Sequence, residues 1–225
     1  DEACGDGTLV VNGIHRYDTR ALKLLHELFN GFAERMTLNL YYSPRRGDAG
    51  LGLHYDKWEI FAAHLRGSKH WKVWAPTVKA PIDSRYEGSA DVLASETALE
   101  TVVRAGDVLY LPRGAWHLAS PTEEGSLHLT IGVHVKKGVD VGHWLFAQAA
   151  RSAELRANLP SAVGDASDAQ ATAAGAAVDA LREVLNADDA IVQFFRYQFL
   201  REYSDTFGAV QNSPTDPGAN AAAPD

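Results

Sequence analysis

GLGLHYDKWEI and GDVLYLPRGAWH contain the residues of this chain whose types and spacing can do chemistry: His54, Asp56 and, sixty-one positions after the aspartate, His117. Two imidazoles and one carboxylate are the ligand set that holds Fe(II) on one face of an octahedron and leaves the opposite positions open for oxygen chemistry. Any one of the nine histidines is by itself more simply a surface or hydrogen-bonded residue. The triad gains weight from the elements that must carry it.

Residues i and i+2 of a β-strand point to the same side, roughly 6.6 Å apart along the strand, so His54 and Asp56 can reach one ion. His117 follows the short apolar run DVLYL, bounded by Gly106 and by the turn residues Pro112 and Gly114. Strand pairing can set it opposite the other two. The segment from 36 to 135 reads as strands throughout: MTLNLYYS, DKWEIFAAHL, KHWKVWA, VLYL and SLHLTIGVHV, with RRGDAG, RGS, PRGAW and PTEEG as turns. Many short strands with glycine-rich turns predict a mainly β barrel or sandwich. Ser126, His128, Thr130, Gly132 and His134 share one face of the last strand, and leucine, isoleucine and valine fill the other.

Before this region TLVVN (8–12) reads as a strand, and 18–32 as an amphipathic helix capped by Asp18 or Thr19 and ending near Gly31. His15 and His26 read as solvated residues. After 139 the chain becomes helical and alanine-rich, with a pliable segment at 160–176 and a last helix carrying Ile191, Phe194, Phe195, Phe199 and Leu200. So much apolar surface must pack on the barrel or on a second copy, which predicts a homodimer. The expected domains are a catalytic barrel at 1–138, a helical dimerisation region at 139–204 and a disordered tail at 205–225.

At 225 residues and 46% hydrophobic content the chain can bury a substantial core. Its net charge of −8 argues against direct nucleic-acid binding, which needs clustered Lys and Arg, and suits a basic polypeptide partner. One cysteine, Cys4, excludes an internal disulfide and a cysteine-based zinc site. No stretch approaches the length of a membrane span, and DEACGDG lacks the pattern of a secretory signal; the expected compartment is the cytoplasm.

GDVLYLPRGAWH is similar to the second cupin motif through Gly106, Pro112, Gly114 and His117, while Asp56 departs from the first motif as the iron-dependent oxygenase branch does. LNLYYSP, HYDKWEIFAAHLRGSKHWKVWAP, GDVLYLPRGAWH and LHLTI, in that order, resemble the JmjC-type ribosomal oxygenases over residues 8 to 140. The resemblance implies a double-stranded β-helix of the cupin or jelly-roll kind with flanking helices and a C-terminal helical appendage. It implies Fe(II) at His54, Asp56 and His117, 2-oxoglutarate as cosubstrate and O2 as oxidant. Lys69 would pair with the distal carboxylate of 2-oxoglutarate, and Asn39, Tyr41 and Thr130 would line the pocket.

A dianionic cosubstrate needs a fixed cation at its far end, which supports Lys69 on physical grounds, although Lys57, Arg66 and Lys72 compete for the role. His128 is the substitute metal ligand; His64 and His70 are rejected, His64 because an unbroken strand would carry it too far from Asp56. Trp116 and Arg113 flank the turn at the substrate mouth, and Arg45, Arg46, Gly47 and Asp48 read as a mobile loop over it. The expected activity is hydroxylation of a protein or peptide side chain, histidine or arginine of a ribosomal protein. The alternatives are an N-methyl-lysine demethylase with the same iron chemistry and a non-catalytic metal-binding cupin.

Overall fold

The computed structural model describes residues 7–44, 51–85, 90–160, 167–187 and 189–207. Strands β1 (Leu9–Val11), β2 (Arg35–Ser43), β3 (Glu59–Trp74), β4 (Leu99–Arg104), β5 (Val108–Leu111) and β6 (Trp116–His134) form one antiparallel sheet. Their order is β1-β2-β6-β3-β4, with β5 also pairing β3. β3 and β6 are its spine, in register from Glu59 opposite Val133 to Trp74 opposite Trp116. Apolar side chains cover both faces, as in a buried sheet. One face holds Ile60, Ala62, Trp71, Val73, Val103, Leu109 and Leu111. The other packs Met36, Leu38, Leu129 and Val133 on Leu25 of the helix α1 (Thr19–Phe32).

The fold is the expected mainly β architecture, and the departures lie at its turns. DKWEIFAAHL and KHWKVWA are one strand rather than two, and PTEEG likewise lies inside β6 rather than between strands. β3 absorbs the RGS segment by shifting register between His64 and Arg66 and again between Gly67 and Lys69. At the first shift Leu65 is the extra residue on β3, and at the second the extra residues lie on β6 between Pro121 and Ser126; the strands bend there without leaving the ladder. Gly67 (φ +63°) and Gly125 (φ +69°) make the bends possible: a Cβ on Gly67 would stand 2.1 Å from the Gly125 carbonyl oxygen, and one on Gly125 2.2 Å from that of Pro44.

The bulges also change which residues face inward. Ile60, Ala62 and His64 are buried before them, and Lys69, Trp71 and Val73 after them. The odd interval between His64 and Lys69 reverses the parity of the strand, because a one-residue slip turns every side chain to the other face.

α1 is capped by Asp18, whose Oδ1 accepts from the Arg20 and Ala21 amides at 2.8 and 3.3 Å. It ends at Ala33 in the left-handed region (φ 53°), two residues beyond Gly31. His15 is buried, not solvated, in a 3-10 turn at Ile14–Arg16. β4 and the short helix α2 (Ala90–Ala94) were not expected; LETVVR holds a run of only three β-branched residues, Thr101, Val102 and Val103, between charged ones, shorter than the roughly four to eight residues that mark a strand.

Lys136–Glu202 forms a second compact unit, the first being the residues up to Val135 with those from Tyr203 onward. The second contains α3 (Gly138–Ala149), α4 (Ala153–Arg156), α5 (Ser167–Leu185) and most of α6 (Ala190–Phe207), around Trp144, Ala190 and Phe194. The segment expected to be pliable is helical from Ser167 onward, consistent with the helix propensity of its alanines, while 161–166 lie outside the described residues. Residues 205–207, expected in the tail, continue α6; 208–225 lie outside the described residues, as do Cys4 and the loop residues Arg45, Arg46, Gly47 and Asp48. No helix among the described residues is long and apolar enough to cross a membrane.

Candidate metal centre and cosubstrate cavity

His54, Asp56 and His117 converge. One ligand atom from each lies within 4.8 Å of the others, and Asp56 Oδ2 stands 4.0 Å from His54 Nε2 and 3.9 Å from His117 Nε2. A backbone bridge joins His54 to His117, which places the third ligand opposite the first two. His54 Nδ1 lies 2.9 Å from the Gly52 carbonyl oxygen and His117 Nδ1 3.0 Å from that of Ala115. A carbonyl can only accept, so each Nδ1 carries a proton, which leaves Nε2 as the nitrogen each ring turns toward an ion. Asp56 is held from behind: Ser84 Oγ donates to its Oδ1 at 3.5 Å and accepts from the Lys57 amide at 3.1 Å, while the Gly114 amide donates to its carbonyl at 2.9 Å.

The electrostatics suit a cation. Burial pushes His117 down to about 3, helped by His54, so its ring is neutral and available. Burial raises the Asp56 carboxyl, with His54 opposing the shift. A charged carboxylate buried there is costly until an ion compensates it.

The cavity over the triad is lined by His54, Asp56, His117, Lys69, Tyr41 and Thr130, with Trp71 on its wall. Lys69 is 3% exposed, and among the described residues its ammonium has no hydrogen bond or ion pair. Burial lowers it to about 8. Its competitors are all elsewhere: Arg66 is exposed, Lys57 pairs with Asp83 at 3.9 Å, and Lys72 with Glu100 at 3.1 Å. Asn39 lines an adjoining cavity that shares Tyr41, His54, Asp56 and Thr130, and its Oδ1 accepts from the Gly13 amide at 2.9 Å.

His64 and His128 are not among the ligands; their rings stack at 5.0 Å beside Lys69's cavity. His70 pairs with Glu100 on the surface at 2.9 Å. Trp116 is core, packed edge-on to Tyr55 at 4.7 Å, and Arg113 offers its backbone amide to Glu59. Sequence reasoning missed Thr8, Ala119 and Ser84: the first two line the first cavity and the third supports Asp56. Thr8 and Ala119 carry no motif signal. Trp71 shares its side of the strand with Lys69, as the strand pattern implies, and both line the cavity.

The JmjC domain family model matches residues 15–141. Ribosomal oxygenase 2 of Mus musculus is 34% identical over 122 residues, 53% of this chain and 25% of that protein. Ribosomal oxygenase 1 of Gallus gallus is 37% identical over 114 residues, 49% of this chain and 18% of that protein. The bifunctional lysine-specific demethylase and histidyl-hydroxylase NO66 of Culex quinquefasciatus is 32% identical over 139 residues, 57% and 21% of the two chains. The chain thus spans a quarter or less of the length of these curated relatives. Among solved structures, the Escherichia coli ribosomal oxygenase YcfD in complex with cobalt and 2-oxoglutarate superposes with a TM-score of 0.59 at 18% identity, covering 87% of this chain and 52% of that one. That likeness carries the fold, and the family match covers more than half of the sequence, including every strand from β2 to β6 and all three triad residues: the chain belongs to the JmjC domain family.

Proposed function

We propose that this chain is an Fe(II)- and 2-oxoglutarate-dependent oxygenase that hydroxylates a side chain of a protein or peptide, with histidine or arginine of a ribosomal protein as the target class. The observation that carries the reading is the pairing of the His54–Asp56–His117 cluster with a buried, unpartnered Lys69 in one cavity. Two imidazole nitrogens and one carboxylate oxygen fit ferrous iron and leave positions for other ligands. Lys69 fits the far carboxylate of a dicarboxylate whose near end reaches the metal. Iron and cosubstrate, when bound, supply the oxidising chemistry; the chain binds and orients them and excludes water. Lys69 holds the anion, the Nδ1–H bonds of His54 and His117 fix the two rings, and the Trp71 wall keeps the cavity apolar on one side.

Within the target class, the adjoining cavity favours histidine. Asn12, Thr37 and Asn39 offer it neutral polar groups, Arg16 adds a cation, and Asp56 is the sole carboxylate among the described lining residues. A guanidinium or methylammonium buried there would need an anion, whereas a neutral imidazole would not. Demethylation of methyl-lysine is a second reading because one relative's name includes it, and a non-catalytic metal-binding cupin is a third. A basic ribosomal target also suits the net charge of −8. We further propose a cytoplasmic homodimer assembled through the helical unit.

The test is conversion of 2-oxoglutarate to succinate by the iron-loaded protein, followed by NMR, with ribosomal-protein peptides screened by mass spectrometry for the gain of one oxygen atom. Succinate formation lost in Asp56→Ala excludes the passive cupin, and loss of a methyl group in place of gained oxygen selects the demethylase.

A further inference from the structure

Three stacked rings, the half-buried Tyr41 and the buried His128 and His64, stand in a row near Lys69. Tyr41 stacks on His128 at 4.8 Å with 12° between planes, and His128 stacks on His64 at 5.0 Å with the same angle. Trp71 meets both histidines edge-on and donates its indole N–H to His64 Nε2 at 3.2 Å. His64 and His128 are 2% and 3% exposed, and the Nδ1 atom of each is sealed from solvent without a partner. His128 lines the same cavity as Lys69 and the metal cluster, and among the described residues neither of its nitrogens is hydrogen-bonded. A buried polar group left unbonded is costly, and a pair of them near a buried ammonium that has no partner among the described residues marks a place where a ligand completes the bonding.

The ligand must be an anion. Lys69 supplies a positive charge, and burial together with that charge holds both imidazoles neutral, so each has one N–H to donate. For His64 the tautomer is settled: its Nε2 accepts from Trp71, so its proton is on Nδ1. Its ring plane is thereby fixed, and the stack transmits that plane to His128.

We propose that His128 completes an anion socket with Lys69, donating one N–H to the far carboxylate of the cosubstrate, and that His64, anchored by Trp71, is the positioning residue that holds the His128 ring. The proposal rests on the cosubstrate reading given above and deepens it. It makes the socket specific for an acid with a carboxylate at both ends.

The experiment compares 2-oxoglutarate with 2-oxovalerate, which has the same chelating end and no distal carboxylate. Dissociation constants are measured by calorimetry on the full chain loaded with Zn(II), where no turnover occurs. His128→Phe keeps a stacking ring and loses the donor; its 2-oxoglutarate constant rises about tenfold, as for loss of one charge-assisted hydrogen bond, and its 2-oxovalerate constant changes less than about twofold. His128→Gln, which restores an N–H, stays within about threefold of the unaltered protein, and His64→Leu weakens 2-oxoglutarate by about threefold to fivefold. Unchanged 2-oxoglutarate affinity in His128→Phe, equal weakening of both ligands, or failure of His128→Gln to rescue overturns the proposal. If Lys69→Met abolishes binding and His128→Phe does not alter it, this inference alone falls. No binding of 2-oxoglutarate by the unaltered metal-loaded protein overturns the cosubstrate reading and this inference with it.

Discussion

His54 and His117 face each other across an antiparallel bridge in which each backbone N–H donates to the other's carbonyl, at 3.1 and 2.8 Å. Two of the three candidate ligands are therefore registered by the peptide ladder itself, and their rings stand 4.1 Å apart at the centroids. The cluster is preorganised by backbone rather than assembled by the metal, which separates metal affinity from folding.

That separation predicts that His54→Ala, Asp56→Ala and His117→Ala each remain folded by circular dichroism. Their metal affinity falls by at least about 100-fold, since losing even an outer hydrogen-bond partner of a ligand can cost 10–100-fold. Metal content after gel filtration, read by mass spectrometry, checks this.

Asp56→Asn has an additional expected effect with the opposite sign. Burial raises the Asp56 carboxyl, so its contribution to stability is fully present below the ordinary carboxylate range and is lost as pH rises through the raised value. At neutral pH, where the unfolded chain ionises this carboxyl, its burial without a metal is unfavourable. The metal-free Asn variant should melt higher than the metal-free parent, and adding Zn(II) should raise only the parent's midpoint. Differential scanning calorimetry at pH 7 with and without metal decides it.

Lys69 gives the pH dependence of anion binding. Burial lowers it to about 8, so the cation that attracts a carboxylate is present below that value and lost above it. The affinity of the Zn(II)-loaded protein for 2-oxoglutarate should be flat from pH 6.5 to 7.5, by rough estimate, and fall about tenfold for each further unit above about 8. Lys69→Met should remove that slope while lowering affinity throughout.

The seam of β3 and β6 yields a stability prediction. In Gly67→Ala the new methyl would meet the Gly125 backbone at 2.1 Å, in a conformation (φ +63°) that alanine adopts at a cost. A loss of at least about 2 kcal/mol is expected, because the clashing atom is backbone and cannot rotate away. Urea denaturation monitored by tryptophan fluorescence measures it, and a change under about 0.5 kcal/mol, the range of ordinary surface substitutions, would contradict the close approach.

For the helical unit, Ile191, Val192, Phe195 and Leu200 of α6 are 56%, 69%, 53% and 60% exposed. If a second copy covers them, Phe195→Asp with Leu200→Asp should convert a dimer to a monomer in sedimentation velocity without altering 2-oxoglutarate binding. A parent protein that sediments as a monomer at micromolar concentration would refute the homodimer.

The triad was legible because its two halves sit in local patterns, a His-x-Asp pair and a tight turn after an apolar run; the pair lies before β3 rather than within a strand, and an isolated bridge from His54 to His117 brings the halves together. α1 was legible for the same reason, its cap and apolar stripe being local. What escaped was set by distant backbone. Whether RGS turns or bulges depends on Gly67 lying against Gly125, nearly sixty residues on, and whether His64 faces Lys69 depends on that bulge. His15 was misread as solvated since its burial comes from tertiary packing alone. Asn39 shares a strand face with Tyr41 as expected, yet the Gly13 amide holds it toward the adjoining cavity, a contact that strand parity cannot foresee.

The reversed parity of β3 has a consequence for how this scaffold can lose its chemistry. Excising a single residue between His64 and Lys69 would leave each half of the strand able to pair with its neighbours, but it would turn the ammonium to the opposite side of the strand, away from the cavity, and bring Ser68 or His70 round in its place. Such a protein could keep its shape and the His54–Asp56–His117 cluster while losing the buried ammonium that lines the cavity, so that a single small deletion would separate the site for a metal from the site for an anion.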